Sequence, residues 1–281
     1  MIKNEFDSEV KYKLFRSVQE ILHPVISKKN ISNYKIVLDE DILPVRVFYP
    51  QKVSDISRVL IYVHGNGTIT DCFEKYSSIC KDLAMKTKSL LIAIEYDENT
   101  ESFPNNYYEV YNTIDYLYDR LERDNISAEN IILVGDSTGA NIITGINYIN
   151  EKVKIEKEIL FYPVLSSDYS DEKKYESFIN NFHFNPKLLS NLDKYFKSMN
   201  ISNEKERLLL NPLLRDKLDI PKTLVFVGKT DLLKDEIYKY KELYKDNVEY
   251  EELSFAEHGF LKEMDSELSE EIFEKLNAFI V

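Results

Sequence analysis

Residues 131–139 read Ile-Ile-Leu-Val-Gly-Asp-Ser-Thr-Gly, and the helix-compatible run Ala140–Ile143 follows directly. A β-type run, then Gly-x-Ser-x-Gly, then a helix is the pattern of a nucleophile elbow, a tight turn that raises a serine hydroxyl above a sheet. Glycine is favoured on both sides of the serine because side chains there would clash across the turn. The chain has only 7 glycines in 281 residues. An ordinary strand–helix turn that happens to hold two of them is the weaker interpretation.

Apolar runs alternate with helical patterns along most of the chain. The predicted strands are Tyr34–Leu38, Pro44–Tyr49, Arg58–Val63, Ser89–Tyr96, Ile131–Val134, Lys157–Tyr162, Lys222–Val227 and Val248–Ser254. The predicted helices are 8–27, Phe73–Lys86, Pro104–Leu121, Ser137–Asn150, Leu233–Tyr244 and Glu267–Ile280. This alternation predicts an α/β fold with a mostly parallel sheet and helices on both faces. The first two strands read as an antiparallel hairpin.

Residues 166–212 interrupt this alternation. The segment is polar and helix-like, with scattered Tyr, Phe and Leu and no strand pattern. Because it lies between two predicted strands, we expect an inserted cap over a site at the sheet edge. No repeat or linker divides the chain, so the sequence predicts a single domain.

Composition excludes several classes of partner. The net charge is −13, which opposes binding to nucleic acid or to an anionic membrane surface. No apolar run is long enough for a membrane span, and the start of the sequence does not resemble a signal peptide. Cys72 and Cys80 fit no zinc or redox motif, so we expect no metal. Free thiols favour a reducing compartment, and we expect a cytoplasmic protein.

A serine hydroxyl becomes a good nucleophile when a neighbouring base takes its proton, and that base is usually histidine. The chain has four histidines: His23, His64, His183 and His258. Only His258 follows a strand near the C-terminus, in the sequence Ala-Glu-His-Gly-Phe. We therefore predict that His258 is the base for Ser137, and that the ring of His64 anchors a loop.

The carboxylate that orients the histidine is expected after the strand between the elbow and His258. Asp231 follows Lys222–Val227 directly, whereas Asp235 and Glu236 fall one helical turn later. Acidic residues in the first turn of a helix favour its dipole, which explains the latter two without a catalytic role. Asp231 is preferred, and the order Ser137, Asp231, His258 is the chain order of the α/β-hydrolase fold.

An attacked ester carbonyl becomes an oxyanion, so hydrogen-bond donors must already face it. The backbone N–H of Thr138, directly after the nucleophile, is one predicted donor. The other donors are expected in the loop after the first buried strand, whose sequence is His64–Gly67. Small residues there let bare amides approach a substrate.

These motifs resemble the hormone-sensitive-lipase-like branch of the α/β-hydrolases, a carboxylesterase family. His64–Gly67 corresponds to the family's His-Gly-Gly-Gly, and Gly135–Gly139 to its Gly-Asp-Ser-Ala-Gly. Asp231–Glu236 corresponds to Asp-Pro-Leu-x-Asp-Glu, and His258–Phe260 to His-x-Phe. The similarity extends from about residue 34 to the end of the chain.

The resemblance implies particular roles and also shows departures. By analogy, the oxyanion donors are the amides of Asn66, Gly67 and Thr138, and cap elements come from about residues 1–33 and 166–212. Asn66 replaces a glycine, and Thr138 replaces the usual alanine. The segment 96–101 lacks the family's Tyr-Arg-Leu-Ala-Pro-Glu, which supports the core and does no chemistry.

The expected function is that of a serine carboxylesterase acting on short acyl esters such as acetyl esters, without a cofactor. A lactone, thioester or amide hydrolase is an alternative within the same class. A non-catalytic small-ligand receptor on the same scaffold is the alternative from another class, since fold does not settle function. Family members often pair through an edge strand or the cap, so a homodimer remains open.

Overall fold

The computed structural model describes residues 35–36, 42–51, 58–65, 72–97, 99–123, 130–171, 175–176, 187–216, 218–254 and 256–281. The predicted helix 8–27, His23 and His183 lie outside these residues. Asn66 and Gly67, two of the three predicted oxyanion donors, lie outside them as well.

A single eight-stranded sheet runs through the described part of the chain. Its strands are β1 (Lys35–Ile36), β2 (Val45–Phe48), β3 (Val59–Val63), β4 (Leu90–Ile94), β5 (Ile131–Asp136), β6 (Lys157–Phe161), β7 (Lys222–Gly228) and β8 (Val248–Leu253). Their spatial order is β1-β2-β4-β3-β5-β6-β7-β8. The pairs β1–β2 and β2–β4 are antiparallel and the other pairs are parallel. The predicted hairpin and the mostly parallel sheet are confirmed.

Seven α-helices are described. They are α1 (Cys72–Lys86), α2 (Asn105–Arg123), α3 (Ser137–Ile149), α4 (Lys187–Lys197), α5 (Glu204–Leu210), α6 (Lys234–Leu243) and α7 (Ser266–Ile280). The helix predictions outside 8–27 match within a few residues. Helices α4 and α5 fall in the segment 166–212, where the described residues contain no strand.

Alternate residues of each central strand enter the two cores on either side of the sheet. In β3, Val59, Ile61 and Val63 join the core formed with α2, α3 and α6. Leu60 and Tyr62 face the other core, formed with α1 and α7. Burial of each such side chain stabilises the fold by roughly 1.5–3 kcal/mol. The near-continuous apolar strands of the sequence therefore reflect a sheet that is covered on both faces.

This topology gathers four chain segments at one edge of the sheet. Strands β3, β5, β7 and β8 run parallel, so the segments after them leave at the same, carboxyl edge. In open α/β sheets that edge is where ligands bind. The structure thus brings the loop after β3, Ser137, Asp231 and His258 to one side of the molecule.

A search of the described helices finds none with the length and apolar character that a membrane crossing requires.

A buried carboxyl group, that of Glu158, lies near the amino end of strand β6, away from the carboxyl edge of the sheet. The Glu158 side chain is 0% exposed, and its Oε2 lies 3.1 Å from Asn147 Nδ2 and 3.5 Å from Thr223 Oγ1. Its Oε1 has no hydrogen-bond partner among the described residues. Burial raises the pKa of Glu158 to about 8 because the charged form would lose its hydration.

We expect Glu158→Gln to stabilise the protein more at pH 8 than at pH 5. Between the unfolded pKa and about 8, the folded chain keeps a proton on Glu158 that the unfolded chain releases. The free energy of unfolding therefore falls as pH rises, by up to ~1.4 kcal/mol per pH unit for this group. Glutamine removes that dependence. Thermal unfolding followed by circular dichroism from pH 5 to pH 8 measures it, with exposed Glu249→Gln as the control. A Glu158→Gln difference in Tm that stays constant with pH would contradict the assignment.

Candidate active site

The turn between β5 and α3 has the geometry of an elbow. Ser137 is the first residue of α3 and has φ 51°, a left-handed value that non-glycine residues rarely adopt. A residue from another part of the chain stabilises the turn, because the Val164 N–H donates to the Ser137 carbonyl at 3.2 Å. The serine side chain therefore lies at the N-terminus of a helix, where free N–H groups favour negative charge.

Two glycines of the elbow permit its close packing. A Cβ at Gly139 would lie 2.2 Å from the Val63 carbonyl oxygen and 2.4 Å from that of His64. A Cβ at Gly135 would lie 2.7 Å from Ile143 Cδ1. Helix α3 thus rests directly on the backbone of β3 and the loop that follows it, and side chains would separate them.

The three predicted side chains after β5, β7 and β8 form a hydrogen-bonded chain. Ser137 Oγ lies 3.0 Å from His258 Nε2. His258 Nδ1 lies 3.1 Å from Asp231 Oδ2 and 3.3 Å from Oδ1. The Tyr162 ring packs against the imidazole, with 4.9 Å between ring centroids. These distances place a base within reach of the serine proton and a carboxylate behind the base.

The Asp231 carboxylate is fixed by its own turn. It is 0% exposed, and its Oδ1 accepts the Leu233 N–H at 2.8 Å. The neighbouring Thr230 hydroxyl donates to the Ala256 carbonyl at 2.8 Å, which ties this turn to the His258 loop. A Cβ at Gly228 would lie 2.1 Å from that same carbonyl oxygen, so the two loops are in backbone contact.

The two alternative carboxylates take other positions. Asp235 is exposed in the first turn of α6. Glu236 is buried and accepts the Tyr169 hydroxyl at 2.8 Å. Burial raises the pKa of Glu236 to about 8. Among the described residues, the hydrogen bonds from His258 to a carboxylate go to Asp231 alone.

His64 is the first residue of the loop after β3, and its side chain is buried. Its ring stacks on Tyr96 with centroids 4.7 Å apart, and its Nδ1 lies 3.3 Å from the Gly65 carbonyl. The Tyr96 hydroxyl donates to the His64 carbonyl at 2.6 Å. Burial lowers the pKa of His64, which favours its neutral form. These contacts support the interpretation of this ring as an anchor of the loop.

Asp136, directly before the serine, is a residue that the sequence reasoning missed. Its buried carboxylate accepts the Tyr62 hydroxyl at 2.6 Å and the Gly65 N–H at 2.9 Å. The hydroxyls of Tyr76 and Tyr162 lie 3.2 and 3.3 Å from its other oxygen. Its place inside the Gly-x-Ser-x-Gly motif was a usable signal, because a charged residue there must be buried and therefore partnered.

A cavity of about 480 Å³ opens above the serine. Its floor is formed by Ser137, Tyr162 and His258, and Leu188, Asn191 and Leu192 of α4 line one wall. Charged side chains lie around it: Glu257, Lys262 and Glu263. Among the described residues, no cluster of three or more His, Cys, Asp or Glu side chains is arranged to hold a metal ion.

The predicted oxyanion donors are only partly described. Thr138 is buried in the first turn of α3, where its backbone N–H lies at the helix N-terminus. Gly65 approaches the elbow closely, since a Cβ on it would lie 2.9 Å from Ser137 Cβ. The loop after β3 therefore begins beside Ser137.

Comparison with known proteins agrees with this fold. The model of a family described as "alpha/beta hydrolase fold" matches residues 60–262. A protein of Acanthamoeba polyphaga mimivirus named as an α/β hydrolase is 25% identical over 217 residues, which is 74% of this chain and 62% of that protein. Human arylacetamide deacetylase-like 4 is 25% identical over 131 residues, or 44% of this chain and 32% of that protein. The chain thus spans less than two thirds of these relatives.

Solved structures show the same fold over most of the chain. The Francisella virulence factor BioJ superimposes with a TM-score of 0.75 at 24% identity, covering 95% of this chain and 90% of that one. A fungal esterase from Rhizomucor miehei has a TM-score of 0.70 at 22% identity, with 85% and 78% covered. The chain belongs to the α/β-hydrolase fold family, in its hormone-sensitive-lipase-like carboxylesterase branch.

We expect Gly139→Ala to lower the free energy of unfolding by about 3 kcal/mol or more, because the added methyl meets rigid backbone oxygens. Gly259→Ala is the control: its φ is 87°, but nothing lies within 4 Å of the added Cβ. Backbone strain there should cost only about 1–2 kcal/mol. Urea unfolding of both variants measures the difference, and an equal or smaller loss at Gly139 would contradict the packing described.

Proposed function

We propose that the protein is a serine carboxylesterase that hydrolyses short-chain acyl esters, such as acetyl esters, through an acyl-enzyme. The observation that carries this proposal is the hydrogen-bonded chain from Ser137 through His258 to Asp231. Relatives that are named as esterases support ester bonds as the substrate class.

In the first half-reaction, Ser137 Oγ attacks the ester carbonyl carbon while its proton passes to His258 Nε2. The bond between the carbonyl carbon and the alcohol oxygen then breaks. His258 returns the proton to the leaving alcohol. In the second half, water attacks the acyl group, gives its proton to His258 and releases the acid, and the proton returns to Ser137.

Asp231 holds the imidazole with Nδ1 protonated and stabilises the positive charge that develops on it. Its full burial strengthens this interaction, since little solvent screens the pair. The Thr138 N–H, with those of Asn66 and Gly67, stabilises the oxyanion in each tetrahedral intermediate. These groups complete the chemistry without a cofactor.

The cavity supports a small and partly polar substrate. Leucine and aromatic side chains share its lining with Asn191, Glu257 and Lys262. Such a mixed lining suits a short acyl group better than a long alkyl chain, which requires a continuous apolar path. The hydrolase of a lactone, thioester or amide would use the same groups, so only turnover of matched substrates distinguishes these acyl bonds.

The cap and the cellular setting are part of the same proposal. Because residues of α4 line the cavity, we assign a cap role to segment 166–212. Residues 1–33, the other predicted cap element, lie outside the described residues. The whole chain then forms one hydrolase domain.

We place its reaction in the cytoplasm, which the buried free thiol of Cys80 supports. A small-molecule ester is the proposed partner.

We expect wild-type protein to hydrolyse p-nitrophenyl acetate and butyrate faster than the octanoate, and Ser137→Ala to lose this turnover. The variant removes the nucleophile and should cost at least ~10³-fold in kcat/KM. Release of p-nitrophenol measures ester hydrolysis. Release of p-nitrothiophenol from S-(p-nitrophenyl) thioacetate and of p-nitroaniline from p-nitroacetanilide measures hydrolysis of the thioester and the amide. If wild type and Ser137→Ala bind such compounds equally and neither turns them over, the receptor alternative replaces the esterase.

We expect Asp231→Asn to reduce kcat by roughly 10⁴-fold, as loss of the corresponding carboxylate does in serine proteases. Asparagine cannot stabilise the imidazolium, and it favours the wrong tautomer. Asp235→Asn, an identical change four residues later on an exposed side chain, should leave kcat near the wild-type value. Equal losses in the two variants would contradict the role assigned to Asp231.

A further inference from the structure

Both polar groups of the Gly65 backbone are held by buried side chains. Its N–H donates to Asp136 Oδ1 at 2.9 Å. Its carbonyl oxygen accepts the Tyr76 hydroxyl at 2.9 Å, and His64 Nδ1 lies 3.3 Å from the same oxygen.

The Gly65 carbonyl matters because of the amide to which it belongs. A peptide unit is planar, so the Gly65 C=O and the N–H of the next residue share one plane and, in a trans peptide, point in opposite directions. That next N–H is the one of Asn66, which the proposed function assigns to the oxyanion hole. A group that orients the Gly65 carbonyl therefore also orients the Asn66 donor.

Tyr76 is placed rigidly enough to serve this purpose. It lies in α1 and is 1% exposed. Its ring lies against those of His64 and Tyr62, with centroid distances of 5.2 and 6.1 Å. The ammonium of Lys262, which follows the His258 loop, lies 5.0 Å from the ring centroid on its face. The hydroxyl therefore has little freedom to leave its acceptor.

The hydroxyl proton of Tyr76 has two acceptors within reach. Gly65 O is the nearer at 2.9 Å, and Asp136 Oδ2 is 3.2 Å away. Asp136 is itself oriented by the hydroxyls of Tyr62 and Tyr162. Since Asp136 directly precedes Ser137, the same contacts connect the nucleophile's turn with the loop after β3.

We propose that Tyr76 is a positioning residue for the oxyanion hole: through its hydrogen bond to the Gly65 carbonyl, it orients the peptide whose N–H stabilises the oxyanion. Asp136 completes the arrangement by holding the other polar group of Gly65. This inference rests on the proposed function, and its consequences concern the transition state and not substrate binding.

The test compares three tyrosine-to-phenylalanine variants, each of which removes one buried hydroxyl. Tyr76→Phe removes the donor to Gly65. Tyr62→Phe removes another donor to Asp136 but leaves Gly65 O partnered. Tyr118→Phe is the remote control, because its hydroxyl donates to Ile131 O at 3.3 Å, at the start of β5. For each variant, kcat and KM are measured with p-nitrophenyl acetate as substrate. The Ki of a trifluoromethyl ketone inhibitor and the Tm of the protein are measured as well.

We expect Tyr76→Phe to lower kcat by roughly 10- to 100-fold, below the cost of deleting an oxyanion donor outright. KM should stay near the wild-type value. The trifluoromethyl ketone forms a tetrahedral adduct with the serine, so its Ki should rise by about the same factor as kcat falls. Tyr118→Phe should leave both quantities unchanged, and Tyr62→Phe should lie between.

Distinct outcomes overturn distinct conclusions. An inactive wild type removes the proposed function. An active wild type with Tyr76→Phe equal to Tyr118→Phe in kcat and Ki removes the inference and leaves the function standing. Equal losses in Tyr76→Phe and Tyr62→Phe would assign the effect to the Asp136 cluster as a whole, against the role given to the Gly65 carbonyl.

A measurement on wild-type protein needs no variant to fold. In a crystal structure of the Ser137 adduct with a p-nitrophenyl phosphonate, the phosphonyl oxygen should accept the Asn66 N–H. The Tyr76 hydroxyl should remain within hydrogen-bond distance of Gly65 O. A phosphonyl oxygen that is bound without the Asn66 N–H, or a Tyr76 hydroxyl turned away from Gly65, would contradict the inference.

Discussion

The close packing of α3 on the end of β3 is the constraint on which the rest of the site depends. Gly139 leaves no space between the helix and the carbonyl oxygens of Val63 and His64. The nucleophile's turn and the loop after β3 are therefore held at backbone contact distance. A Cβ on Gly65 would lie 2.9 Å from Ser137 Cβ, so the same packing fixes how close the start of this loop comes to the serine.

The buried carboxyl groups near the site differ in the hydrogen-bond donors that they receive. Asp231 receives hydrogen bonds from Leu233 and His258, and Asp136 receives them from tyrosine hydroxyls and Gly65. Glu236 lies near Asp231, but its raised pKa of about 8 leaves it neutral at pH 7. Glu236 thus adds no negative charge beside the His258–Asp231 pair.

The sequence predicted the elements well because strand and helix periodicity are local properties. The strong run Ile131–Val134 and the glycines around Ser137 located the elbow, and chain order located Asp231 and His258 relative to it. The roles of Tyr62, Tyr76 and Tyr162 were not predictable. The chain has 20 tyrosines, and whether a hydroxyl reaches Asp136 depends on how α1 packs against β3 and β5, which no local pattern encodes.

The fold by itself does not separate an esterase from a ligand receptor, but the energetics of the His258–Asp231 pair favour the enzyme. Burying a carboxylate completely costs free energy that hydrogen bonds only partly recover. A receptor would gain nothing from directing that carboxylate at an imidazole whose other nitrogen lies 3.0 Å from a serine hydroxyl. Ser137 also keeps a positive φ that costs roughly 1–3 kcal/mol. Backbone strain and a buried carboxylate at one point therefore support the proposed proton transfer from that hydroxyl.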